Sequence, residues 1–200
     1  MFLSHVIGLF THPREEWADI KGEGCSVGKC YCSHVLLLAA IPAVSSYIGT
    51  TQFGWTIGSR DAIKLTTDSA LILSSLTYIT ILVGIFSMGA LIKWMGKTYN
   101  ADKPLQVCIA LAAYSATPIF VICLSLLYPQ LWVNLVLGLP ATAYSVYLMY
   151  LGVPIMMDIS EERGFLFSSA IVGVGMVMLV GVLATSVVLW SLGFGPAFTD

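Results

Sequence analysis

The sequence predicts an all-α membrane protein: a bundle of five transmembrane helices preceded by short interfacial, amphipathic N-terminal helices. Three observations lead to that fold class. First, charge is segregated: Cys30–Ser59, Ser69–Ile92, Pro104–Met157 and Gly164–Thr199 contain no Asp, Glu, Lys or Arg. The nine basic and eleven acidic residues fall in the gaps between these runs, in the N-terminal segment and at Asp200. A charge at the centre of a spanning helix costs about 2.5–3.5 kcal/mol even on insertion-based scales, whereas a soluble domain scatters charge over every face. Second, the runs are long enough, since about 20 apolar residues cross about 30 Å of hydrocarbon. Third, the longest run is too long for one span and carries its own break at Tyr128-Pro129-Gln130. There Pro removes a backbone donor and pushes the preceding residue off helical geometry.

Residues 1–32 form an N-terminal segment, and residues 33–200 the five-span membrane domain. In the first segment Phe2, Leu3, Val6, Ile7, Leu9 and Phe10 recur at helical spacing, as in a helix lying in the membrane interface. This stretch has no basic n-region and no small-residue cleavage site, so it reads as uncleaved. A second helix starts at Thr11-His12-Pro13-Arg14-Glu15-Glu16-Trp17, with Pro13 at the first helical position and two acids at the positive end of the dipole. Trp17 and Ile20 then face lipid or the bundle, Trp17 as an interface anchor; docking of a partner by this segment is the alternative. The spans follow at about 33–53, 69–92, 105–127, 131–152 and 165–189.

Lys and Arg set the orientation. The N-terminal segment holds Arg14, Lys21 and Lys29, the second loop Lys93, Lys97 and Lys103, and the fourth loop Arg163, against Arg60 and Lys64 in the first loop. The N-terminus is therefore expected in the cytoplasm and the C-terminus outside. The net charge of −2 gives no sign of nucleic-acid binding, because no basic cluster tracks a phosphate backbone.

Cys25, Cys30, Cys32 and His34 at the head of the first span offer four soft ligands for a metal. Structural zinc sites, however, use paired C-x2-4-C knuckles, and thiols at i and i+2 do not share a helix face. Free thiols, kept reduced on the cytoplasmic side, are the other reading. Cys108 and Cys123 are packing residues of the third span. No catalytic set, carboxylate pair or midplane ionisable group is present, so neither an enzyme nor an ion-coupled pump is expected, and no cofactor is implied.

The spans instead hold small residues, hydroxyls and prolines. Ser45/Gly49, Ala112/Ala116, Ser169/Gly173 and Gly181/Thr185 are four-residue small pairs that allow close helix approach, so Gly173→Leu is expected to force a contact apart. Pro42, Pro118 and Pro140 each free a carbonyl within a span, for kinking or for lining a substrate path. Tyr144, Tyr147 and Tyr150 share a face, either bonding across the bundle or forming a polar seam for a ligand headgroup, with Tyr114, Ser115 and Pro118 as further ligand- or partner-facing candidates. The loop Asp158–Gly164 gathers Asp158, Glu161, Glu162 and Arg163. Ser160 suits an N-cap with the two glutamates in the first turn, and a partner- or cation-binding rim is the alternative.

Leu9-Phe10-Thr11-His12-Pro13 with Trp17, Tyr114-Ser115-Ala116-Thr117-Pro118, and Tyr150-Leu151-Gly152-Val153-Pro154 followed by Ser160 resemble the entry segment, third-span signature and fourth-helix ending of bacterial Yip1-domain proteins. The His5–Trp17 and Gln52–Gly58 stretches are similar to the small inner-membrane YohC-like branch. The resemblance covers nearly the whole chain and implies five spans in a bacterial inner membrane, with the orientation given above. Eukaryotic relatives act in vesicle traffic, associate with prenylated small GTPases and carry a long polar N-terminal extension. This chain lacks that extension, so a small-GTPase partner is not implied. The reading is a non-enzymatic scaffold that binds membrane lipids or other membrane proteins, its own copies included. A channel or facilitator for a small solute or lipid is the first alternative, and metal binding through the cysteines the second.

Overall fold

The computed structural model describes residues 2–23, 34–55 and 62–199. Five helices are long and apolar enough to cross a membrane: Leu36–Phe53, Thr67–Gly96, Leu105–Leu127, Leu131–Met157 and Glu161–Gly193. The chain is thus an all-helical, multi-pass membrane protein. Two short helices precede the spans, α1 (Phe2–Thr11) and α2 (Pro13–Gly22). The first span is α3 (Leu36–Ile48) closed by a π turn at Gly49–Phe53, and the second is α4 (Thr67–Gly96). The third divides into α5 (Leu105–Ser115), α6 (Thr117–Ile122) and a 3-10 turn at Cys123–Leu127. The fourth is α7 (Leu131–Met157), and the fifth is α8 (Glu161–Leu189), ending in a π turn at Trp190–Phe194.

Several of these limits extend the sequence reading. α4 runs past Ile92 to Gly96, and α7 continues through Gly152 and Pro154 to Met157, where the sequence placed its end at 152. α8 begins at Glu161, not 165, because its charged first turn protrudes beyond the apolar run. Pro42 and Pro140 sit inside continuous helices, whereas the helix breaks at Ala116, just before Pro118. Cross-helix hydroxyls bind backbone carbonyls near Pro42: Ser74 donates to Ala43 at 2.9 Å and Tyr78 to Leu36 at 3.3 Å.

The core forms where α2, α5, α7 and the first half of α8 converge, around Trp17, Leu111, Leu148, Val153 and Phe167, all 0 % exposed. Trp17 is therefore not an interface anchor. Its ring is driven inward onto Gly152, where an added Cβ would stand 2.7 Å from Cε2 and Cζ2. Lys21 reaches Asp158 at the other end of α2, so α2 lies along α7 and the α1–α2 pair is wedged into the bundle. α1 adds Leu9, whose carbonyl accepts from Tyr144 at 2.8 Å, and Phe10, stacked on Tyr144 at 5.5 Å.

The small pairs divide. Ser45 is buried and Gly49 packs directly on the Leu126 carbonyl, whereas Ala112 and Ala116 border a gap between helices. Gly173 and Gly181 have nothing within 4 Å of an ideal Cβ. The expectation that they form helix contacts is corrected: the outer half of α8 stands clear of its neighbours, with Val177 and Val180 exposed. At its far end, Thr199 donates its amide to Lys64 and Thr66 donates to Ala197, fastening the tail to the segment before α4.

Candidate functional site

Because α4 and α8 touch only sparingly, a crevice of about 320 Å³ opens between them, with α5 and α7 behind it. It lies at mid-span in all four helices, at Gly84, Ser115, Ser145 and Gly175. Its floor is buried and apolar, through Ala112, Met149 and Ile171, while Met176 and Leu179 on the rim are exposed on the lipid-facing side. Small side chains create the space: Gly84 has no atom within 4 Å of an ideal Cβ, and at Gly175 only the flexible end of Met88 approaches. Two buried serines punctuate the wall. Ser115 donates to Met149 Sδ at 3.8 Å, and the Ser145 hydroxyl has no hydrogen-bond partner among the described residues. A mid-membrane hydroxyl without a partner costs about 1–3 kcal/mol, so Ser145 is retained at some expense to stability.

The other predicted candidates are distributed around this crevice. Tyr114 is buried beside it among His5, Trp17 and His34, the His34 ring 4.0 Å away. His34, proposed as a metal ligand, is itself buried, with Nε2 hydrogen-bonded to Thr117 Oγ1 at 3.1 Å. Cys25, Cys30 and Cys32 lie outside the described residues. Among the described residues no group of three His, Cys, Asp or Glu is arranged to hold a metal. Cys108 is buried and Cys123 half-buried, both as free thiols. The three tyrosines of α7 do not make one seam. Tyr144 and Tyr147 meet at 5.6 Å, but the Tyr144 hydroxyl turns to α1, Tyr147 is exposed, and Tyr150 bonds Ser169 at 2.8 Å. Neighbouring tyrosines are three positions apart, and each turn of α7 meets a different neighbour.

At the end of the bundle bearing the N-terminal helices, Asp158 caps α7 in the left-handed conformation (φ 56°), which Asp and Asn adopt more readily than other residues. Its two oxygens take Lys21 and Lys103, the latter at 2.6 Å, joining α2 and the loop before α5 to the end of α7. These two ammoniums, Lys103 first, hold the Asp158 carboxyl below the usual carboxylate range. Ser160 occupies the N-cap of α8, as predicted, but its side chain makes no capping bond; Glu161 and Glu162 stand in the first turn. On α1, the His5 ring takes Glu16 and, at 3.3 Å, Glu23.

Sequence reasoning missed Lys21, Gly152 and Ser145 as members of these arrangements. Lys21 and Gly152 acquire their roles from partners more than a hundred positions away. Ser145 looks like any small span residue.

The Yip1 domain family matches residues 7–183. Inner membrane protein YohC of Escherichia coli (strain K12) is 41% identical over 192 residues, which are 96% of this chain and 98% of that protein. YohC of Escherichia coli O6:H1 is similar to the same degree. No solved structure matches the chain. The match runs from α1 deep into α8 and takes in both the wedged N-terminal pair and the crevice: the chain belongs to the Yip1 domain family.

Proposed function

We propose that this chain is a non-enzymatic inner-membrane protein that binds the acyl chains of membrane lipids in the α4–α8 crevice and so organises the lipid around it. The crevice carries the reading: it sits at mid-span, is walled by apolar and small side chains, and opens past Met176 and Leu179 toward the bilayer. Hydrocarbon is the occupant that depth supplies, and filling an apolar void restores dispersion contacts its lining otherwise lacks. The name of the 41% identical relative supports the inner membrane, and the lysine and arginine bias supports a cytoplasmic N-terminus with the C-terminus outside. Other membrane proteins and further copies of the chain are partners of the same lipid-facing kind. A second reading, passage of a small apolar solute, is favoured by one observation: the helix break at Ala116 lies on the crevice wall.

The test uses the full chain in nanodiscs containing a phospholipid with a photoactivatable group at mid-chain. Crosslinks are expected to concentrate on the crevice residues Met149, Met176 and Leu179, well above those on Val136 and Leu139, which are exposed on α7 outside the crevice. Gly84→Trp, placed where no neighbour interferes, should abolish that excess while the protein melts as before. Equal labelling of crevice and control surfaces overturns lipid binding. Solute flux in proteoliposomes that Gly84→Trp blocks would favour the second reading.

A further inference from the structure

A separate cavity of about 510 Å³ lies between α2, α7 and α8, where the charge-free run of α7 gives way to the charged start of α8. Its apolar wall is built from Leu151, Ile155 and Phe165, and Phe165 is 60 % exposed. Two opposite charges line the same cavity: Arg14 from the first turn of α2 and Glu161 from the first turn of α8. They are not paired with one another, and neither joins an ion pair among the described residues. The nearby Asp158 is already engaged by Lys21 and Lys103, which leaves Glu161 as the acid lining the cavity.

An apolar cleft at the membrane boundary with one free guanidinium and one free carboxylate matches one class of membrane component in both charge and shape. We infer that this cavity binds a zwitterionic amino-phospholipid, with Arg14 on the phosphodiester, Glu161 on the primary ammonium and one acyl chain against Leu151, Ile155 and Phe165. A guanidinium presents a planar fork of donors that fits two phosphate oxygens at once. A primary ammonium carries three donors that a carboxylate can accept, whereas a quaternary choline has none and a glycerol headgroup lacks the positive charge. The site therefore selects by headgroup, unlike the mid-span crevice, and it stands without the reading proposed for that crevice.

The test is retention of phosphatidylethanolamine, phosphatidylcholine and phosphatidylglycerol of identical chains on the full protein, read by native mass spectrometry. The ethanolamine lipid should be held roughly tenfold more strongly than the other two, the scale of one charge-assisted hydrogen bond. Glu161→Gln should erase that preference while the three lipids still bind. Arg14→Gln should weaken all three together. Both positions are exposed, so neither change threatens the fold, and Gly84→Trp should leave the headgroup preference intact. Equal retention of the three lipids by the unmodified protein, or a preference that survives Glu161→Gln, overturns the assignment.

Discussion

Gly152 is where a single methyl group should undo the most packing. An ideal Cβ there stands 2.7 Å from Trp17 Cε2 and Cζ2 and 2.9 Å from Leu111 Cδ1. Carbon atoms settle at about 3.5–4.0 Å, so Gly152→Ala obliges the indole to retreat by about 1 Å. The ring has nowhere to go: Trp17 is fully buried, with Tyr114 edge-on at 6.4 Å. Overpacking of this kind costs about 1–3 kcal/mol, more than the helix propensity that alanine gains over glycine. The loss should fall on the docking of α1 and α2, because Trp17 is the large residue that α2 buries against α7. Unfolding in detergent measures the total, and limited proteolysis of residues 1–23 locates it. A double-mutant cycle supplies the decisive comparison. With Trp17→Leu in place only the Leu111 methyl still crowds the new Cβ, so Gly152→Ala should cost markedly less, a coupling of about 1 kcal/mol or more between two positions far apart in sequence. If Gly152→Ala unfolds and is cleaved like the parent protein, the wedged position of α2 is wrong.

Gly49→Ala should be severely destabilising, since its Cβ meets the backbone carbonyl of Leu126, which cannot swing aside as a side chain would; Gly173→Ala, in open space, should match or slightly exceed the parent in the same melts. Asp158→Asn keeps the left-handed backbone while removing the charge, and because the carboxylate and Lys21 are exposed and Lys103 only half-buried it should cost at most about 1 kcal/mol, less in high salt. The Asp158 carboxyl is held low in the folded protein, so its contribution is complete above the ordinary carboxylate range and fades only as pH falls through the depressed value; a loss between pH 6 and pH 8 would contradict that. In a cysteine-free background, Lys64→Cys should react with an impermeant maleimide from outside and Lys97→Cys only after permeabilisation. The reverse pattern would invert the proposed orientation.

The five spans were legible because a bilayer imposes one strong rule, the exclusion of charge, and that rule is written in composition alone. The turn at Tyr128–Gln130 was equally legible, since Pro acts on its immediate neighbours. The far end of α7 was not: Gly152 and Pro154 read locally as a helix ending, yet the helix runs on to the Asp158 cap. Trp17 misled for a related reason. An amphipathic helix with a Trp looks alike whether the ring faces lipid or a glycine on another helix, and only the tertiary partner decides. Gly49 and Gly173 make the same point for small residues, one pressed on a carbonyl and the other facing open space. The mid-span crevice was out of reach because it is a gap between α4 and α8, and the Arg14–Glu161 pair because its members belong to helices that meet only in the folded bundle.

The fastening of the tail beside α4 bears on how the protein is made. Thr66 and Ala197 are separated by 131 positions, so the bonds between them must wait until all five spans have been made. Until then the N-terminal end of α4 and the partly detached α8 have no common tether, and closing so long a loop carries an entropic penalty that only the finished bundle offsets. The five backbone and side-chain hydrogen bonds at Lys64, Thr66 and Ser69 thus form a latch that can close only late in biogenesis. A chain cut before residue 197 would hold its helices in the bilayer with this side of α4 and α8 unsecured.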